Sequence, residues 1–195
     1  MKDFVYIRNW FEKEYPIGSD RFWSFKIALN LLLQNHGTHI VETGTVNEGD
    51  FGAGASTIFF GKFLQKYGGK LWTVDISPEA IEECKKKTAD YKDNIVYVCE
   101  DSVEFLDKYL GPIDLLYLDS MDYPLTASEG TIEECQKHQL KELETAYSKV
   151  MPGGIILLDD NGLPGGGKTK LAKEFLENKG DICVMDFQQS LWIKK

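Results

Sequence analysis

Residues 39–45, HIVETGT, lead into a glycine-rich loop and then the apolar stretch STIFFGKFL, and this order restricts what the chain can fold into. The β-branched run ends at Glu42, Gly44 and Thr45; Gly49, Gly52 and Gly54 then let the backbone turn tightly and approach a ligand before a helix starts at Ser56 or Thr57. A second apolar run, residues 71–74, ends in Asp75, followed by Ile76. An acid at that point in a nucleotide-binding α/β unit accepts hydrogen bonds from ribose hydroxyls. A strand, a close-approach loop, a helix N-terminus and an acidic second strand end together imply an adenosine-containing cofactor.

The rest of the chain continues the alternation. Apolar runs predict strands over residues 39–45, 71–76, 95–100, 113–119 and 154–160, and amphipathic stretches predict helices over 20–34, 56–67, 78–91, 102–109 and 131–150. Continuous apolar strands separated by helices signify a parallel sheet covered on both faces. A last helix, 170–178, precedes two strands, 182–187 and 190–193, close enough to pair as an antiparallel hairpin. With 195 residues, 43% of them hydrophobic, one domain carries the whole function.

Charge and cysteine usage narrow the partners. The net charge is -9, and lysines are interleaved with acids instead of forming a stripe, which disfavours nucleic acid. Cys84, Cys99, Cys135 and Cys183 lack C-x-x-C spacing, so reduced thiols are expected, with neither zinc site nor disulfide framework. The N-terminal residues mix charges into their apolar positions, and no run reaches membrane-spanning length. These features predict a soluble, cytoplasmic protein with no nucleic-acid or membrane partner. The residues leave monomer or homodimer open.

The order of motifs resembles the class I S-adenosylmethionine-dependent methyltransferases over nearly the whole chain. The resemblance rests on Glu42, Gly44 and Gly54 after the first strand, Asp75 after the second, the pair Asp101 and Ser102 after the third, Asp119 in IDLLYLDS, and VMPGGIILLDDN leading through the fifth. It implies a Rossmann-like fold with a mostly parallel seven-stranded sheet, helices on both faces and a C-terminal antiparallel hairpin. It also implies S-adenosyl-L-methionine as cofactor, with Asp75 on the ribose, Glu42, Gly44, Thr45, Gly54, Ser56 and Thr57 around the methionine end, and Ile76, Asp101, Ser102 and Asp119 completing the site. Asp101 and Ser102 are equally explained as a helix N-cap. The loop over residues 45–54 is longer than the family's usual turn. Residues 1–37 would form a helical lid on a core of residues 38–195, with Trp10, Phe11, Tyr15, Phe22, Trp23 and Phe25 shared between core and substrate pocket.

Within that class the strand-end acids are similar to those of the catechol-type O-methyltransferases. By position the metal ligands would be Asp119, Asp160 and Asn161, with Asp159 adjacent, binding Mg2+ or another divalent cation that acidifies an acceptor hydroxyl. Those enzymes place a lysine base three residues after the first ligand, where this chain has Asp122, so Asp122 becomes the candidate base. The resemblance therefore implies metal-assisted O-methylation of a small hydroxylated molecule. Its alternatives are a metal-independent O- or N-methyltransferase with Asp119 or Asp122 as base, and a non-catalytic cofactor-binding protein. A dinucleotide-dependent oxidoreductase is disfavoured because the first loop lacks compact G-x-G-x-x-G spacing. Residues 162–169, GLPGGGKT, also match the P-loop pattern of nucleotide triphosphatases, but too little chain follows for the remaining strands of that domain. The segment is expected instead to rim the substrate pocket, with Lys168 meeting an anionic acceptor. His138, in a polar helix, is expected to face solvent.

Overall fold

The structure is a computed structural model that describes residues 21–46, 55–123 and 129–195. Helix α1 (Phe22–Gln34) leads into β1 (His39–Thr43), followed by α2 (Ser56–Tyr67), β2 (Lys70–Asp75), α3 (Pro78–Lys87), β3 (Ile95–Cys99), α4 (Ser102–Lys108) and β4 (Ile113–Leu118). Then come α5 (Glu129–Tyr147), β5 (Val150–Leu158), α6 (Lys170–Lys179), β6 (Ile182–Asp186) and β7 (Ser190–Ile193). The strands form one seven-stranded sheet in the order β3-β2-β1-β4-β5-β7-β6. The first five are parallel, and β7 runs antiparallel between β5 and β6. This is the Rossmann-like architecture with a C-terminal hairpin that the motif order implied.

Period-two alternation divides the core. Ile40, Leu115, Ile155, Leu157 and Leu191 point to one face, where α1 and α2 pack Phe22, Phe25, Leu29, Phe59, Phe60 and Phe63 against them. Their neighbours Val41, Leu116, Ile156, Leu158 and Trp192 point to the other face, against Leu106 of α4, Leu143 and Ala146 of α5 and Leu176 of α6. Each fully buried leucine, isoleucine or phenylalanine contributes about 1.5–3 kcal/mol to folding. Phe22 and Phe25 therefore belong to the core and are not available as lid residues, while Trp23 is half exposed beneath the Lys26 ammonium. Trp10, Phe11 and Tyr15 lie outside the described residues.

Among the boundaries that differ from expectation, two have clear local causes. The helix foreseen over 78–91 ends at Lys87, where the Thr88 hydroxyl donates back to the Cys84 carbonyl at 2.6 Å; residues Ala89–Asn94 then form a 3-10 turn. The strand foreseen over 154–160 begins earlier, at Val150, so the Pro152-Gly153-Gly154 turn lies inside β5: the helix foreseen to residue 150 has already ended at Tyr147, Val150 pairs with Ile113, and the register shifts between Ile113 and Leu115. Among the described residues, no helix is long and apolar enough to cross a membrane.

Candidate active site

β1 is flanked by β2 on one side and β4 on the other, so the strand order reverses there and a crevice opens at the carboxyl ends. Gly44 forms its floor. With φ at 80°, its N–H donates to the Val74 carbonyl at 2.8 Å, and a Cβ at this position would sit 2.2 Å from the Asp119 carbonyl oxygen. Two adjoining cavities share Gly44, Asp75 and Ser120: one of about 250 Å3 bounded by Ile76, Asp101, Ser102 and His138, and one of about 450 Å3 bounded by Arg21, Thr45, Asp119, Asp122, Tyr123 and Asp160.

In the smaller cavity, Asp75 accepts from the Ser77 N–H at 2.8 Å and from the Thr45 N–H at 3.3 Å, which fixes its carboxylate while leaving lone pairs for a ligand. Asp101 is both cap and wall, since it accepts from the Glu104 N–H at 3.0 Å and lines the cavity. Ile76 is 71% exposed at this cavity, an apolar surface available to an occupant. His138 does not face solvent. Its Nε2 lies 3.2 Å from Ser102 Oγ and 3.6 Å from Glu142 Oε1, and the neighbouring Glu142 carboxylate raises its pKa against the effect of burial.

Glu42, Ser56 and Thr57 come together behind the cavities and line neither. The fully buried Glu42 accepts hydrogen bonds from Ser56 Oγ, from Thr57 Oγ1 at 2.7 Å and from Thr73 Oγ1 at 2.8 Å, and Thr57 Oγ1 accepts in turn from the Val46 N–H at 3.1 Å. Glu42 thus ties the end of β1 to the start of α2 and to β2. Gly54 lies outside the described residues.

Burial pushes the Glu42 carboxyl from 4.5 up to about 7, against the three hydroxyl donors that favour its anion. Between those pH values the folded state holds a proton that the unfolded chain has released, so stability falls as pH rises through the window and levels off above it. The size is about 3 kcal/mol. Glu42→Gln keeps the shape and removes the ionisation, so a plot of urea midpoint against pH is expected to flatten between about 4.5 and 7. A variant with the wild-type slope would show that another group sets it.

The ends of β4 and β5 assemble a charged cluster in the larger cavity's wall. Arg21 Nε donates to Asp159 at 2.9 and 3.0 Å, while its Nη2 reaches Asp159 Oδ1 at 2.9 Å and Asp160 Oδ1 at 3.2 Å. Gln189 Nε2 adds a bond to Asp159 at 3.0 Å, and the Tyr117 hydroxyl lies within hydrogen-bond reach of both Asp159 and Asp119. Burial alone would raise the Asp159 pKa, but Arg21 and the Tyr117 hydroxyl override it and hold this carboxyl below its usual range. Burial, and then the charge of Asp159, push Asp119 upward against the opposing Lys168 ammonium. Two neighbouring carboxyls are thereby driven apart in acidity, a pattern associated with acid–base chemistry. Asp122 is exposed on the same wall.

Lys168 departs most from expectation. Only 2% exposed, its Nζ lies 2.9 Å from Asp119 Oδ1 and 3.0 Å from Asp160 Oδ2, so it meets carboxylates of this chain and not an anionic acceptor. The segment that carries it is no phosphate cradle either: the N–H groups of Gly166 and Gly167 donate to Leu163 O at 3.0 Å, and that of Lys168 donates to Asp160 O at 3.1 Å. Asp160 accommodates this with a left-handed φ of 55°.

The expected metal ligands are not gathered. Asn161 turns away from Asp119: its Nδ2 donates to Asp186 at 3.0 Å and to Phe187 O, and its Oδ1 accepts from Thr169 Oγ1 at 2.6 Å and Lys173 Nζ at 3.3 Å. Asp119 and Asp160 do converge, but on an ammonium. With Asn161 turned toward the hairpin and the Lys168 ammonium between Asp119 and Asp160, the residues as arranged do not fit the divalent cation of the catechol pattern.

Arg21, Tyr117, Gln189 and His138 were not foreseen as parts of the site. Tyr117 was hidden in an apolar run and Gln189 in a hairpin turn, whereas Arg21 offered a signal as one of only two arginines in the chain, next to the aromatic stretch FWSF.

A family model described as a methyltransferase domain matches residues 50–161, more than half of the chain. No curated protein matches it. Similar solved structures include the O-methyltransferase NovP (14% identical, covering 90% of this chain and 80% of that one, TM-score 0.66). SAH-bound PaMTH1 of Podospora anserina, a methyltransferase, is 15% identical, with 98% and 87% of the two chains covered and a TM-score of 0.63. An rRNA methylase from Streptococcus thermophilus is 14% identical, with 88% and 96% covered and a TM-score of 0.59. At such identities the structures establish a shared fold, and the family match carries the assignment. The chain belongs to the methyltransferase-domain family and is a class I S-adenosylmethionine-dependent methyltransferase.

Proposed function

We propose that this enzyme methylates a hydroxyl oxygen of a small neutral or cationic molecule without a divalent metal. The observation that carries the reading is the junction of the two cavities at Gly44, Asp75 and Ser120. An adenosyl group in the smaller cavity would rest on Ile76 with its ribose on Asp75, directing its other end toward the carboxylates of the larger one. Asp75, Asp119, Asp122 and Asp160 line that larger cavity, and Arg21, the cation among its described lining residues, is engaged by Asp159 and Asp160. An anionic acceptor, including a nucleic-acid backbone, would be repelled there.

The bound cofactor supplies a methyl group on a sulfonium sulfur, so the acceptor oxygen forms the new C–O bond while the C–S electron pair stays on sulfur. Asp119 takes the proton that the hydroxyl releases, with Tyr117 and Lys168 holding its carboxylate in place; Asp122 is the second candidate for that proton. Gly44 and the fixed Asp75 orient the reactants, which is where a simple displacement gains most of its rate.

The test is a screen of neutral and amine-bearing hydroxylated acceptors, with anionic analogues as contrast, carried out in EDTA. Methyl transfer is expected to persist in EDTA and to favour the non-anionic set. Asp119→Asn is expected to lower turnover by about 100-fold or more while leaving affinity for S-adenosylhomocysteine within a few-fold. Transfer that requires added Mg2+ would sink the metal-free reading. Cofactor binding with no acceptor methylated across the panel would favour a non-catalytic binding protein.

A further inference from the structure

We infer that the Lys168 ammonium is the resident cation of this site, standing where a divalent ion would otherwise bridge the ends of β4 and β5. The inference deepens the metal-free reading above and rests on it. Its Nζ lies almost equally far, at 2.9 and 3.0 Å, from one oxygen of Asp119 and one of Asp160. These are the two acids that a cation shared between adjacent strand ends would use. A cation bridging these two carboxylates would compete with the ammonium that already contacts both. Both cannot be accommodated, and a buried lysine has no solvent to retreat into.

The position of the ammonium is built by its neighbours. A Cβ at Gly167 would fall 2.1 Å from the Asp160 carbonyl oxygen, so only glycine lets this strand of the loop lie against the end of β5. The Lys168 N–H donates to that same carbonyl at 3.1 Å, and the next residue, Thr169, donates its hydroxyl to Asn161 Oδ1 at 2.6 Å. Three consecutive residues, Gly167, Lys168 and Thr169, are therefore fastened to Asp160 and Asn161. The side chain between them has one inward course, to the carboxylates. Asn161, the third expected metal ligand, is consumed in making that anchorage, so the same contacts that deliver the lysine dismantle the metal set. Charge agrees: Asp119, Asp159 and Asp160 face Arg21 and Lys168, and removing Lys168 leaves three carboxylates against one guanidinium. Lys168 is thus a positioning residue that orients Asp119 toward the larger cavity.

Manganese uptake tests this without knowledge of the acceptor. Free Mn2+ is followed by electron paramagnetic resonance during titration of the full chain, and S-adenosylhomocysteine affinity is measured by calorimetry in EDTA and in MgCl2. Wild type is expected to take up no Mn2+ in the micromolar range and to bind S-adenosylhomocysteine equally in both buffers. Lys168→Ala is expected to gain Mn2+ binding by about tenfold or more, and adding Asp160→Asn is expected to remove the gain. A lysine that merely filled space would give no such gain. The inference is overturned by micromolar Mn2+ uptake in wild type that Asp160→Asn abolishes, or by a Lys168→Ala protein that binds S-adenosylhomocysteine but no Mn2+. Should Lys168→Ala not fold, Lys168→Met, which keeps the buried stem without the charge, takes its place in the same titration. Wild type that fails to bind S-adenosylhomocysteine would instead remove the cofactor reading of the cavities, a separate outcome.

Discussion

Asp75→Ala is expected to weaken S-adenosylhomocysteine binding by at least about 100-fold. The carboxylate lines both cavities, and its two backbone donors, Ser77 N–H and Thr45 N–H, fix its orientation before any ligand arrives. A ribose diol offers two hydroxyl donors to it, and each hydrogen bond to a charged acceptor is worth about 1.5–3 kcal/mol. The same substitution leaves the core untouched, because neither hydrophobic cluster includes Asp75. Calorimetry on the wild type and the variant, with thermal melts as a control for folding, gives the answer. Affinity within threefold of wild type would place the ribose elsewhere.

Gly44→Ala is expected to destabilise the protein by about 3 kcal/mol or more, lowering the melting temperature by roughly 10 °C. Two costs combine. An L-residue in the left-handed region costs about 1–2 kcal/mol, and a Cβ placed 2.2 Å from the Asp119 carbonyl oxygen forces apart β1 and β4, which are hydrogen-bonded where Asp119 N–H meets Thr43 O at 2.9 Å. Gly153→Ala separates the two, since that glycine has a similar φ of 77° but no atom within 4 Å of the would-be Cβ. Only the backbone cost, about 1 kcal/mol, is expected there. Equal melting temperatures for the two variants would mean that the strand contact contributes nothing.

The fold was legible because its signals are local. α2 and β7 begin and end where the sequence pattern placed them, as the 3.6- and two-residue periods and the flanking polar residues require. The strand-end acids were legible for a related reason: a parallel sheet brings the carboxyl ends of its strands to one edge, so Asp75, Asp119 and Asp160 had to be neighbours of a single crevice. What those acids meet there was not legible. Asp119 and Lys168 are 49 residues apart and Arg21 and Asp159 are 138 apart, and no spacing rule connects such pairs. The P-loop pattern misled for a physical reason. Glycines followed by lysine permit a backbone to curl around an anion, but they equally permit it to lie flat against a strand end and send the lysine inward. The Asp-Asn pair misled similarly, because adjacent residues in a left-handed turn direct their side chains apart, Asp160 toward the cavity and Asn161 toward the hairpin.

The place of β7 inside the sheet bears on the order in which the protein becomes active. A strand that follows every other in the sequence nevertheless lies between β5 and β6, and Gln189, at its threshold, donates to Asp159. During synthesis, which delivers the N-terminal strands first, β1 to β5 can pair in succession. β5 then keeps an unpaired edge, and Asp159 lacks its amide donor until residues 189–193 arrive. The crevice between β1, β2 and β4 can therefore form before the charged wall beside it, which waits for the last strand to enter the sheet.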